Sequence, residues 1–174
     1  TLDASGNLGI GLTNPSVKLQ VANAGAANLL RLTDTTNSIQ FDAQSTGSVF
    51  QIGTSTNHNL LFKTNNTTQA TLDTAGNLGL GVTPSAWNTT YRALDFGSGA
   101  IMAQSSGSDI YFAQNTYYST TSQWLYKFSS TAAARYQIVG GAHSWFTAAS
   151  GTAGNAISFT QAMTLDASGN LVVG

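Results

Sequence analysis

Apolar and polar residues alternate with a period of two along most of the chain, the signature of strands with one buried face. Leu19 and Val21 alternate with Lys18 and Gln20, and Ile39, Phe41 and Ala43 alternate with Gln40, Asp42 and Gln44. Phe50 and Ile52, then Leu60 and Phe62, continue the series, and Ile110 with Phe112, Trp124 with Tyr126 and Phe128, and Ile157 with Phe159 repeat it further on. Polar clusters such as Ser45-Thr46-Gly47-Ser48 and Thr54-Ser55-Thr56-Asn57 mark turns between them. Only Thr131–Arg135 has the composition of a helical turn, so the pattern predicts an all-β chain.

One segment recurs. Thr1-Leu2-Asp3-Ala4-Ser5-Gly6-Asn7-Leu8 returns as Thr71–Leu78 and as Thr164–Leu171, at spacings of 70 and 93 residues. Asp at the first position of a four-residue turn accepts backbone N–H groups, and Gly at the fourth supplies positive φ. Asp3 with Gly6, Asp73 with Gly76 and Asp166 with Gly169 therefore predict three hairpin turns, with Leu2 and Leu8 meeting across the first. The repeat predicts three modules, 1–70, 71–163 and the opening of another at 164–174, in a segment of a longer chain. The second is 23 residues longer and holds 14 of the 17 aromatics, which places an aromatic-rich insertion within 115–150. Thr160-Gln161-Ala162 echoes Thr68-Gln69-Ala70, with Met163 as an extra residue that shifts register or forms a bulge.

After each of the first two turns, glycines alternate with aliphatic residues: Gly9 and Gly11 among Leu8, Ile10 and Leu12, and Gly79 and Gly81 after Leu78 and Leu80. Strand glycine costs stability, so a bare face suggests close approach of another backbone. Modules of about 70 residues with a short aliphatic set per strand bury little and need help from metals, disulfides or association. The chain has no cysteine, which leaves association of several copies around an axis as the expected solution; it would also cover strand edges that few charges protect.

Composition narrows the function. Six Lys and Arg against seven Asp, and no Glu, give a net charge of −1, which cannot build the positive field that nucleic acid demands. No apolar stretch approaches the roughly 20 residues of a membrane helix. Ser, Thr, Asn and Gln make up 67 of the 174 residues, a surface solvated without charge.

The Leu-Asp-x-x-Gly-Asn-Leu-Gly-Ile-Gly-x-Thr-x-Pro-Ser element, followed by Lys18-Leu19-Gln20-Val21, resembles a motif of bacteriophage tail fibre and tail spike proteins, commonly found upstream of an intramolecular chaperone domain. The resemblance covers about 20, 15 and 11 residues in the three copies. It implies an elongated homotrimeric fibre of intertwined β modules on a virion, acting at the host surface through a glycan or an outer-membrane receptor. A chaperone domain would lie beyond Gly174, and no catalytic residue carries over.

Candidate chemistry is sparse. Polysaccharide cleavage needs two carboxylates about 5–10 Å apart, and the acids that the turns leave unexplained are Asp34, Asp42, Asp95 and Asp109. An inter-chain pair of Asp95 with Asp109 is the alternative, a degrading tail spike. No Gly-x-Ser-x-Gly elbow is present, and His58 and His143 stand singly, with no metal-binding spacing. Neither metal nor cofactor is expected. Aromatic faces suit sugar rings, so Tyr117, Tyr118, His143 and Trp145, set among Asn, Ser, Thr and Gln, are the glycan-contact candidates. The expected role is structural and adhesive rather than enzymatic.

Overall fold

A computed structural model describes residues 1–22, 27–46 and 48–174. The chain is all-β, with no helix among the described residues, and forms two compact units, Thr1–His58 and Asn59–Gly174. These units follow strand pairing and the sequence modules follow motif copies, so the two divisions fall at different places.

The first unit contains β1 (Leu8–Ile10), β2 (Leu19–Val21), β3 (Ala27–Asp34), β4 (Ile39–Thr46) and β5 (Val49–Thr54). Ser45 and Thr46 end β4, and Gly47, inside the turn expected at 45–48, lies outside the described residues. β1 pairs with β2 in parallel, and β3, β4 and β5 form an antiparallel sheet. Register sorts that sheet into two unlike faces. Leu30, Ala43 and Ile52 stand in one row, with Leu32 paired to Phe41 and Phe50 to Ser45 on the same side. Behind them, Arg31 binds Asp42 through two hydrogen bonds of 2.8 and 3.0 Å, and Gln44 donates to Gln51. The apolar side is open: Leu32, Phe50 and Ile52 are 58%, 65% and 61% exposed. Among the described residues of this unit only Gly9, Pro15 and Asp42 are buried, so it has no apolar core of its own.

The second unit contains β6 (Leu60–Thr64), β7 (Thr67–Leu72), β8 (Leu78–Leu80), β9 (Tyr91–Phe96), β10 (Gly99–Gln104), β11 (Ile110–Gln114), β12 (Thr116–Tyr118), β13 (Trp124–Tyr126), β14 (Ala133–Val139), β15 (Ala142–Ala148), β16 (Thr160–Leu165) and β17 (Leu171–Val173). All but β12 and β13 join one ten-stranded sheet in the order β17-β16-β15-β14-β11-β10-β9-β8-β7-β6. It is antiparallel except where β8 runs parallel to β9. The helical turn expected at Thr131–Arg135 is not formed: Ala133 begins β14, because pairing with β11 and β15 on both sides outweighs a three-alanine preference.

Both early copies of the repeat build the same device. Asp3 and Asp73 each open a turn in which Gly6 and Gly76 donate back to their carbonyls at 3.1 and 3.0 Å, with φ of +72° and +83°. The strand after the turn then runs parallel to one that follows a proline loop. That loop explains the glycines. A Cβ on Gly9 would stand 2.8 Å from the Leu12 carbonyl oxygen, and one on Gly79 would collide with the Val82 carbonyl oxygen and lie 2.9 Å from the Pro84 ring. The close approach expected from other chains is thus made by the chain's own next loop. In the third copy Val172 stands at the equivalent position and is exposed.

The bulge expected from Met163 is present, but it is not peculiar to that copy. Register shifts past Ala162 in β16 and past Gln69 in β7, each three residues before the motif leucine. In each copy the bulged residue's carbonyl accepts the N–H of the glycine ending the hairpin, Gly174 at 3.3 Å and Gly81 at 2.7 Å.

The two faces of the large sheet differ sharply. On one lies the core of Trp87, Tyr91, Ala93, Ala100, Met102 and Tyr111, roofed by the 82–90 loop and the β12–β13 hairpin. On the other, one residue from each of the ten strands stands in a continuous cross-strand row: Leu60, Leu72, Leu78, Leu94, Ile101, Phe112, Tyr136, Trp145, Met163 and Val173. Phe96 and Leu80 flank this row, 45% and 46% exposed.

Candidate functional site

Among the described residues, the covered face carries the one buried ion pair. Along β9, Asp95 alternates with Leu94 and Phe96 and therefore points under the 82–90 loop. Its Oδ2 accepts the Ser85 N–H at 3.0 Å, the Ser85 hydroxyl at 2.9 Å and the Trp87 indole N–H at 3.2 Å. Its Oδ1 accepts from the Lys127 ammonium, which also donates to the Gly97 carbonyl at 3.0 Å and lies 5.3 Å from the Trp87 ring centre. Burial pushes the Asp95 carboxyl up, but the hydrogen bonds from Lys127 and Ser85 together hold it below the ordinary carboxylate value. The pair forms the floor of a concavity of about 350 Å³ walled by Tyr117, Tyr126 and Phe128, with Thr83 and Ala86 at its rim.

The glycan-contact candidates separate. Tyr117 and Tyr118 belong to β12 on the covered side: Tyr117 meets Trp87 edge-on at 5.9 Å, and Tyr118 packs on Tyr91 and Trp124 at 5.6 and 5.3 Å. His143 and Trp145 belong to β15 and stand on the open apolar side. There the Tyr136 hydroxyl bonds His143 Nδ1, and the Tyr136 and Trp145 rings lie 5.0 Å apart. The four residues therefore make two separate clusters. Of Trp124, Tyr126 and Phe128, expected on one strand face, Tyr126 is buried and Phe128 lies beyond the strand, 49% exposed.

The acids are likewise dispersed. Asp34 caps its own turn, accepting from Thr36 and Asn37, and Asp42 is held by Arg31. Asp109 accepts the Tyr111 hydroxyl at 3.3 Å. It lies beside Gln104, whose neighbour Tyr91 is four residues from Asp95, a separation of about 13 Å along the strand. Within one chain these two carboxylates do not meet. Among the described residues no three His, Cys, Asp or Glu converge. His58 Nδ1 pairs locally with the Thr56 hydroxyl at 3.0 Å.

Asp3, Asp73 and Asp166 are held alike. In each, Oδ1 accepts two backbone N–H groups and Oδ2 accepts the side-chain amide of Asn7, Asn77 or Asn170. Gly169 completes the third turn with φ of +87°. Sequence reasoning missed these asparagines, although their presence in every copy was the signal. It also missed Lys127, whose partners Gly97 and Asp95 lie 30 and 32 residues away and leave no local pattern.

A second cation, the half-buried Arg135, has no acid partner among the described residues. The Arg135 guanidinium sits 4.4–5.9 Å from the ring centres of Phe146, Trp124, Phe159 and Tyr111, and its Nε is buried without an acceptor. Cation–π attraction takes the place of an ion pair there.

No protein family, curated protein or solved structure matches this chain.

Proposed function

We propose that this chain is a structural and adhesive segment of a homotrimeric viral tail fibre that attaches to the host surface. The observation that carries this reading is the apolar row across all ten strands of the large sheet, in which Leu72, Phe112 and Val173 are exposed and the other seven residues half-buried, with Leu80 and Phe96 exposed beside it. A monomeric protein rarely leaves a contiguous apolar surface of that extent in water, and one so placed marks an association surface. The first unit supports it independently, because its three-stranded sheet also leaves an apolar side open and has no other core. Charge is sparse on both surfaces, Arg92 beside Leu94 and Asp34 opposite Ile39 being the ions at their margins, so copies of the chain meet with little repulsion. The number three, the elongated shape and the virion come from the repeat's resemblance to tail fibre motifs.

On this reading His143 and Trp145 lie between chains, and the covered face of the sheet, with Tyr117, faces outward. Contact with a host glycan or outer-membrane receptor is then made from that outer side. Fluorescently labelled protein of verified three-chain mass should bind saturably to some bacterial strains and not to strains stripped of surface polysaccharide. Binding to no strain would contradict the adhesive part of the reading, and a single-chain mass would contradict the assembly part.

A further inference from the structure

We propose that the concavity over Asp95 and Lys127 is a binding site for one residue of a neutral saccharide. The inference rests on the reading above and names the site and chemistry of its receptor contact. At about 350 Å³ the concavity falls in the range of roughly 300–1,000 Å³ typical of small-molecule sites. It opens on the face opposite the apolar row, so association through that row leaves it accessible.

The hydrogen-bonding capacity of its walls favours a polyol. Asp95 already receives four donors and offers little more. Lys127, which lines the concavity, has three N–H groups and spends two, on Asp95 and Gly97. The Tyr117 hydroxyl has no partner among the described residues. The Tyr126 hydroxyl donates to the Ala149 carbonyl at 2.6 Å and keeps its acceptor capacity. Ser85, whose hydroxyl donates to Asp95, keeps its acceptor capacity too. Hydrogen-bonding side chains thus line a concavity with aromatic walls, a combination that ring hydroxyls and an apolar sugar face satisfy together. Asp95 cancels the charge of Lys127, so the site carries no net charge with which to hold an acidic sugar.

The test uses tryptophan fluorescence of the whole chain, because Trp87 contacts Asp95, Lys127 and Tyr117 of the site, during titration with the methyl glycosides of glucose, galactose and N-acetylglucosamine and with methyl glucuronide. At least one neutral glycoside should quench saturably with a dissociation constant of about 1 mM. Ala86→Phe, a substitution on the exposed rim, should weaken that binding at least about tenfold, and Tyr117→Phe by a smaller factor. Response to none of the neutral glycosides, tighter binding of the glucuronide, or undiminished binding by Ala86→Phe would each overturn the proposal. A three-chain species that binds no glycoside discards this site and keeps the fibre reading; a single-chain species that binds one does the reverse.

Discussion

The side-chain oxygen of Asn77 accepts the backbone N–H of Ala93 at 3.0 Å, in the interior of the second unit. The same asparagine gives its amide to Asp73, so one residue both closes the repeat's turn and ties it to the parallel strand beside it. Its counterpart Asn170 makes the turn bonds alone and is exposed. Asn77→Ala should therefore cost about 1–3 kcal/mol, because a buried N–H loses its acceptor, and Asn170→Ala less than about 1 kcal/mol. Urea unfolding of the two variants measures the difference; equal costs would mean that the bond to Ala93 contributes nothing.

Gly79 is fixed by space, since its φ lies outside the left-handed region. A Cβ there runs into the Val82 carbonyl, while Val172 occupies the equivalent position in the open. Gly79→Ala should destabilise by about 3 kcal/mol through overpacking. Val172→Gly should cost about 1 kcal/mol, the entropy of a more flexible chain. Thermal melting distinguishes them, and a harmless Gly79→Ala would show that the proline loop yields.

Asp95 gives the fold an acid limit. Its folded carboxyl titrates below the ordinary value of about 3.9, so the unfolded chain takes up the proton first as pH falls. The stability it contributes is present above about pH 4 and is lost as pH falls through the folded value. Asp34, Asp42 and Asp166 are shifted in the same direction, so the parent alone does not isolate Asp95. Asp95→Asn leaves Lys127 buried without its counter-charge and should cost about 3–5 kcal/mol at pH 7. The variant should then lose less than the parent on acidification from pH 5 to pH 3. Parallel stability curves would contradict this role.

The all-β class was legible in the sequence because period-two alternation in Ile39–Gln44 or Ile110–Phe112 reports a pleated surface directly. The Asp-x-x-Gly turn was legible because its chemistry is local. The glycines were misread: Gly9 and Gly79 do face another backbone, but a composition pattern does not say whose, and it belongs to the loop three residues on. The Asp95–Lys127 pair was illegible because 32 residues separate partners that only the sheet brings together. The same holds for the opposite facing of Tyr117 and Trp145, since strand order decides which side of the sheet the β12–β13 hairpin covers.

In the proposed assembly the row through Phe112 joins chains. Phe112 is 42% exposed and lies away from the core around Met102, so Phe112→Asp should leave the single chain's own packing intact. Sedimentation equilibrium of parent and variant measures the claim directly. The parent should have three times the chain mass of 18.0 kDa, and Phe112→Asp should fall toward a single chain. A parent that sediments at 18.0 kDa, or a variant that keeps the parent's mass, would contradict it.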